Sequence, residues 1–225
     1  MAHTHKFQVG DIVALNSHPL FKSHSKIIEF SAQVPPIMLI KEIFYEDSKK
    51  KKIYSESLGG DYKIADLIKY TCVYFNANKS EFAEVFVYET FLKSYLDLKY
   101  YRKVEDEENV KKIEEDKQLI GEVASYSLIT NYEFGKVIQF KTKKLEHRKS
   151  YDNNTEKITN SSFQTPDFIL SGIKQEINTD LFYQDGTPKR VISSNFIKVT
   201  WFNHFQQKNS EQYLPIEFFV ENIPF

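Results

Sequence analysis

The sequence predicts an all-β chain made of two small tandem barrels joined by a charged connector. Three observations carry that expectation. The first is internal repetition: Phe7-Gln8-Val9-Gly10-Asp11-Ile12-Val13-Ala14-Leu15 matches Tyr132-Glu133-Phe134-Gly135-Lys136-Val137-Ile138-Gln139-Phe140, with glycine and apolar residues in register. The second is composition: aromatic residues make up 15% of the 225 residues while glycine occurs only seven times, a balance suited to strands with large side chains. The third is punctuation: short apolar runs are separated by turn sequences such as Asn76-Ala77-Asn78-Lys79 and Asp185-Gly186-Thr187-Pro188.

The repetition continues in order along both halves. Pro36-Ile37-Met38-Leu39-Ile40 pairs with Pro166-Asp167-Phe168-Ile169-Leu170, and Lys69-Tyr70-Thr71-Cys72-Val73-Tyr74 pairs with Lys198-Val199-Thr200-Trp201-Phe202-Asn203. A fourth block aligns Phe86-Val87-Tyr88-Glu89-Thr90-Phe91-Leu92 with Leu214-Pro215-Ile216-Glu217-Phe218-Phe219-Val220. The separation stays between 125 and 130 residues throughout, and its drift falls between blocks, where loops tolerate insertion.

In the first copy, Gly10 supplies a tight turn into a strand over residues 9–15. Residues 18–33 are polar and irregular and read as a loop. Pro35-Pro36 cannot lie inside a ladder, so a second strand starts at Ile37 and runs to Tyr45. The run Ser48-Lys49-Lys50-Lys51-Lys52 reads as a solvated turn. Tyr70 to Phe75 forms a third strand with apolar residues on both faces, and Phe82 to Val87 returns after the Asn76–Lys79 turn. Glu89 to Leu92 closes the unit. Five short strands with a long first loop and a late hairpin describe a bent barrel of the SH3-like kind.

Residues 95–120 differ in kind. Acidic residues at 105–108 precede Val110, Ile113, Lys117 and Ile120 at helical spacings, with acidic residues early and lysines late. This predicts a helical connector, with a disordered charged linker as the alternative. The second copy starts at Tyr132, and its Pro215 puts the strand there near an edge or a bulge. The expected organisation is a first barrel over 1–98, a connector over 99–122 and a second barrel over 123–225.

Charge does not favour a partner recognised mainly through phosphates, although it leaves room for a local basic patch. Residues 1–100 carry a formal +1, residues 101–122 carry −3 and residues 123–225 carry +1, so neither half has the strongly basic character of such binders. The single cysteine, Cys72, excludes an internal disulfide and fits a reducing compartment. No apolar run approaches a membrane span, and the first six residues lack the apolar stretch of a secretory signal. A soluble cytoplasmic protein is expected.

The motifs Val9-Gly10-Asp11-Ile12-Val13-Ala14-Leu15, Pro36-Ile37-Met38 and Cys72-Val73-Tyr74 resemble the YodC-like small bacterial proteins, with their Gly-Asp-x-Val-x-Leu opening, Pro-x-Met strand and Cys-x-Trp/Tyr strand. In the second copy Lys136 stands for the Asp, Phe168 for the Met and Trp201 for the Cys. The resemblance implies an SH3-like barrel and no particular activity, because such barrels take protein, peptide and nucleic-acid ligands alike.

Candidate chemistry is sparse. Scattered histidines (His3 and His5 in a mobile N-terminus, His18 and His24 around one loop) offer no ligand pairing with Cys72, so no metal is expected. Cys72 sits mid-strand among bulky neighbours and reads as a buried, inert thiol. Gly59-Gly60 lacks the spacing and the following Lys-Ser/Thr of a phosphate loop, no nucleophile elbow exists, and Glu81 and Glu84 read as solvent-facing. Neither a catalytic residue nor a cofactor is expected, and a small-substrate enzyme ranks third among the readings.

Aromatic residues are the stronger lead. Cys72 and Trp201 occupy equivalent positions in the alignment and are assigned to a core or a seam. Aromatics on the opposite strand face would form a ligand groove, a partner surface or the contact between barrels. The leading expectation is a non-enzymatic adaptor that binds a protein or peptide through Tyr74, Phe75, Trp201 and Phe202. The alternative is a nucleic-acid binder that uses Lys141, Lys143, Lys144, Arg148 and Lys149, with Tyr151 nearby for stacking.

Overall fold

The computed structural model describes residues 4–18, 35–46, 53–55, 60–62, 67–95, 100–105, 111–116, 126–143 and 165–222. The first half contains β1 (Ile12–Leu15), β2 (Met38–Tyr45), β3 (Ile53–Ser55), β4 (Gly60–Tyr62), β5 (Ile68–Asn76), β6 (Glu81–Tyr88), a 3-10 turn (Glu89–Phe91) and β7 (Leu92–Ser94). Between the halves lie β8 (Tyr100–Glu105) and β9 (Lys111–Asp116). The second half contains β10 (Ser127–Leu128), β11 (Val137–Phe140), β12 (Phe168–Gln175), β13 (Arg190–Ile192), β14 (Asn195–Asn203), β15 (Lys208–Pro215), a 3-10 turn (Ile216–Phe218) and β16 (Phe219–Asn222).

The chain is mainly β, with two principal antiparallel sheets. One runs β6-β5-β2-β1-β7 with β13 beside β2, and the other runs β10-β16-β11-β12-β14-β15. Setting β10 and β13 aside, the two orders are identical, strand for strand.

Finer details repeat as well. Gly10 and Gly135 both have positive φ, 85° and 89°, and their N–H groups donate to Ile40 and Leu170 carbonyls, each at 2.8 Å. A ladder irregularity falls between Ile40 and Glu42 in one half and between Leu170 and Gly172 in the other. Each late hairpin ends in a left-handed residue, Ser80 (φ 51°) or Gln207 (φ 53°).

The ladders correct the sequence alignment of the third and fourth blocks. Asn76 pairs with Glu81 at the end of its hairpin as Asn203 pairs with Lys208, so Tyr74, not Cys72, is the counterpart of Trp201. Cys72 corresponds to Val199, and Phe75 to Phe202. Apolar residues at neighbouring positions on both faces hid this slip, because either register aligns large side chains.

Neither sheet closes into a barrel among the described residues. The inner face of the second sheet is filled by side chains of the first. Ile138, Phe140, Phe168, Leu170, Val199, Trp201 and Phe219 share one core with Ile12, Leu39, Val73, Phe75 and Phe82. Phe82 stacks on Phe168 at 5.3 Å and meets Phe140 and Trp201 edge-on. Burying a phenylalanine stabilises by about 1.5–3 kcal/mol, so Phe75 and Phe82 bind the halves strongly. The first sheet's other face holds a separate core of Phe7, Val13, Met38, Ile40, Ile43, Tyr70, Cys72, Val87 and Leu92. Thus β5 is buried on both faces, which accounts for its doubly apolar sequence. The second half also reaches back through β13, whose Val191 pairs with Ile43 of β2.

Within the expected helical connector over 99–122, the described residues form strands rather than a helix. Tyr100–Glu105 and Lys111–Asp116 pair as antiparallel strands, with Arg102 opposite Glu114 and Glu105 opposite Lys111. The three- and four-residue spacing of Val110, Ile113 and Lys117 had favoured a helix. No helix among the described residues is long and apolar enough to cross a membrane.

Candidate functional site

The duplicated ladder allows the two outer faces to be compared position by position. In the first half a cross-strand row runs Ile12–Leu39–Val73–Glu84. Its counterpart runs Val137–Ile169–Thr200–Glu211. Ile12, Leu39 and Val73 of the first row, with Phe75 and Phe82 beside them, are buried against the second sheet. The second row lies open: Val137 is 56% exposed and Ile169 and Phe202 are each 45% exposed, whereas Phe75, the counterpart of Phe202, is 1% exposed. Phe134, just ahead of β11, is exposed too.

Polar groups surround this apolar strip. Lys198 and Glu211 form an ion pair across β14 and β15, and Lys136 pairs with Glu221 at 2.6 Å. The Lys136 ammonium, foremost, and the Thr130 N–H hold the exposed Glu221 carboxyl down to about 2. Thr200 Oγ1 and Ser171 Oγ share a hydrogen bond of 2.8 Å. Thr200 replaces Val73 and Asn209 replaces Phe82, so the open face is more polar than its buried counterpart. An apolar centre with a charged rim has the anatomy of a non-obligate protein interface.

The residues expected to bind a partner separate accordingly. Phe75 and Trp201 are core residues of the seam and offer no surface, which corrects the expectation for both. The physical reason is the stacking of one half's outer face in the other's inner face. Tyr74 is half-buried against the first half's core. Phe202 alone of the four reaches solvent broadly. Val137 and Ile169 were missed, although their β-branched alternation with inward Ile138 and Phe168 signals two apolar faces.

Among the basic candidates, Lys143 is ion-paired with Asp167. Burial lowers the Lys141 ammonium, opposed by Asp11 and Glu217, and its Nζ donates to the Gly10 carbonyl at 3.4 Å. Both are engaged within the fold. Lys144, Arg148, Lys149 and Tyr151 lie outside the described residues.

Cys72 is buried, and its thiol is pushed up to about 12 by that burial, so a thiolate is strongly disfavoured. Glu84 is exposed and pairs with Lys41 at 2.5 Å. His18 is buried, and His5 is held by the Tyr45 hydroxyl rather than hanging free as expected. His3 and His24 lie outside the described residues. Among the described residues, no three His, Cys, Asp or Glu side chains gather as a metal ion would require.

No family model matches this chain, and no curated protein or solved structure matches it.

Proposed function

We propose that the chain is a non-enzymatic intracellular adaptor that binds a partner protein through the outer face of its second sheet, centred on Val137, Ile169 and Phe202. One observation carries this reading: these three residues stand where Ile12, Leu39 and Phe75 make the seam, yet they are open to solvent. A face of the same lineage is already known, within this molecule, to pack against another sheet. Exposed apolar residues grouped on one face favour interaction over plain solvation.

The shared strand order also supports descent of both halves from one SH3-like unit, in line with the YodC-like motifs of the first. The nucleic-acid alternative has less support, because Lys141 and Lys143 are spent on Gly10 and Asp167.

The test compares capture of proteins from the source cell by the wild-type chain and by Phe202→Asp and Ile169→Asp. A partner held by the wild type at both low and high salt should be lost by both variants while their thermal midpoints stay unchanged. Retention of the same proteins by folded variants would sink the proposal.

A further inference from the structure

The first half holds a buried polar pair that its twin lacks. The Tyr70 hydroxyl donates to the Glu89 carboxylate, and Glu89 is itself buried. The counterparts in the repeat are Ile197 and Ile216, so the fold does not require polar residues here. Burying a carboxylate and a phenol is costly unless both find partners. Their partners are the chain's own N-terminal residues. The Lys6 N–H donates to Glu89 Oε2 at 2.8 Å, and the Phe7 N–H donates to the Tyr70 hydroxyl at 3.3 Å. The Phe7 ring meets Tyr70 edge-on at 5.6 Å and joins the core beside Met38 and Ile40. One residue earlier, the His5 ring bonds the Tyr45 hydroxyl.

The twin again supplies the comparison. Tyr132 stands where Phe7 does, yet it is 46% exposed, and Gln175 stands in place of Tyr45. The second half's inner face receives Phe75 and Phe82 from outside its own sheet instead. Each inner face is therefore completed by aromatic rings that arrive from elsewhere in the chain. In the first half, the arriving segment, bent at Lys6, is read through main-chain N–H groups, which peptides of many sequences present.

We propose that the Tyr70–Glu89 end of the first half is a peptide-binding site, that residues His5–Phe7 occupy it as an internal ligand, and that it accepts a phenylalanine-bearing segment of the same kind from another polypeptide. Glu89 and Tyr70 receive the two N–H groups, the apolar core receives the ring, and Tyr45 receives the preceding side chain. The strap joins β1 through a turn in which the Gln8 N–H bonds Asp11 Oδ2 at 2.8 Å and Gly10 takes φ 85°, and the Gly10 N–H anchors that turn to the Ile40 carbonyl at 2.8 Å. Residues ahead of this turn can leave without dismantling the strand.

The test uses the full chain and a fluorescent synthetic peptide with the sequence of residues 1–9, followed by anisotropy. Phe7→Ala should free the site and bind the peptide saturably, at least tenfold more tightly than the wild type, whose own strap competes. Adding Glu89→Gln should weaken that binding tenfold or more, and a peptide with Ala in place of its phenylalanine should not bind. Trp201 fluorescence, which reports the other core, and a cooperative thermal transition verify folding. Lys6→Pro, which removes the N–H that Glu89 accepts, provides a second route to a free site. Absence of binding by either folded variant overturns the proposal. So does equal binding by wild type and variants, or failure of both variants to fold, which would make the strap purely structural.

Discussion

The indole Nε1 of Trp201 donates to the main-chain carbonyl of Ser80 at 2.8 Å, joining β14 of the second half to the hairpin tip of the first. Asn203 Nδ2 donates to the same oxygen at 2.9 Å. Ser80 is buried and left-handed, with φ 51°, a conformation that costs a non-glycine residue roughly 1–2 kcal/mol. The hairpin tip thus gives up local ease in order to present its carbonyl to two donors across the seam.

Trp201→Phe should keep most of the aromatic packing and remove one donor. Because Asn203 still serves the carbonyl, the expected loss is about 1 kcal/mol in urea unfolding. Trp201→Ala should cost about 3–5 kcal/mol, as large-to-small core changes do. A Trp201→Ala protein of unaltered midpoint would contradict the seam described for this side chain.

Phe75 and Phe202 provide a matched pair, because the late hairpins make them counterparts. Phe75→Ala should destabilise by about 3–5 kcal/mol through the cavity left among Phe82, Phe168 and Trp201. Phe202→Ala should change stability by no more than about 0.5 kcal/mol, as surface substitutions do. Denaturant midpoints of the two variants decide it. Equal losses would mean that the open face is not open in solution.

Gly10 and Gly135 extend the same logic to the backbone. Both have positive φ, so alanine strains either position. A Cβ on Gly10 would also lie 2.6 Å from the Glu217 Cβ, whereas a Cβ on Gly135 meets nothing within 4 Å. Gly135→Ala should therefore cost about 1–2 kcal/mol and Gly10→Ala clearly more. Chemical denaturation of both variants measures the difference, which isolates the seam's contribution from backbone strain.

What the sequence reveals and what it conceals follow from the same repetition. The opening turn was legible because a positive-φ glycine leaves a fixed mark, at Gly10 and again at Gly135. Pro36 and Pro166 likewise mark the entries to β2 and β12. The register of β5 against β14 was not legible: β5 is apolar on both faces, so alternation gives no parity to anchor an alignment. The same double burial hid the seam, since Phe75 reads equally well as an exposed aromatic and as a plug for the neighbouring sheet. The Tyr70–Glu89 pair carried no signal, because its meaning lies in residues 5–7, far away in sequence.

His18 supports a prediction about pH. It closes the turn after β1, where its N–H bonds the Leu15 carbonyl at 2.8 Å, and its counterpart is the ion-paired Lys143. Burial lowers the His18 imidazole from 6.5 to about 4, so the folded chain resists a proton that the unfolded chain accepts. The stability tied to this group is complete above pH 6.5 and is lost as pH falls towards 4. Paired carboxylates such as Glu221 lose their contribution only below their ordinary range near 4.5. In the interval from pH 6.5 to about 5 the histidine contribution therefore falls before that of the paired carboxylates. Urea midpoints should decline across that interval in the wild type and hold nearly level in His18→Gln. A decline of equal steepness in both proteins would assign the effect to another group.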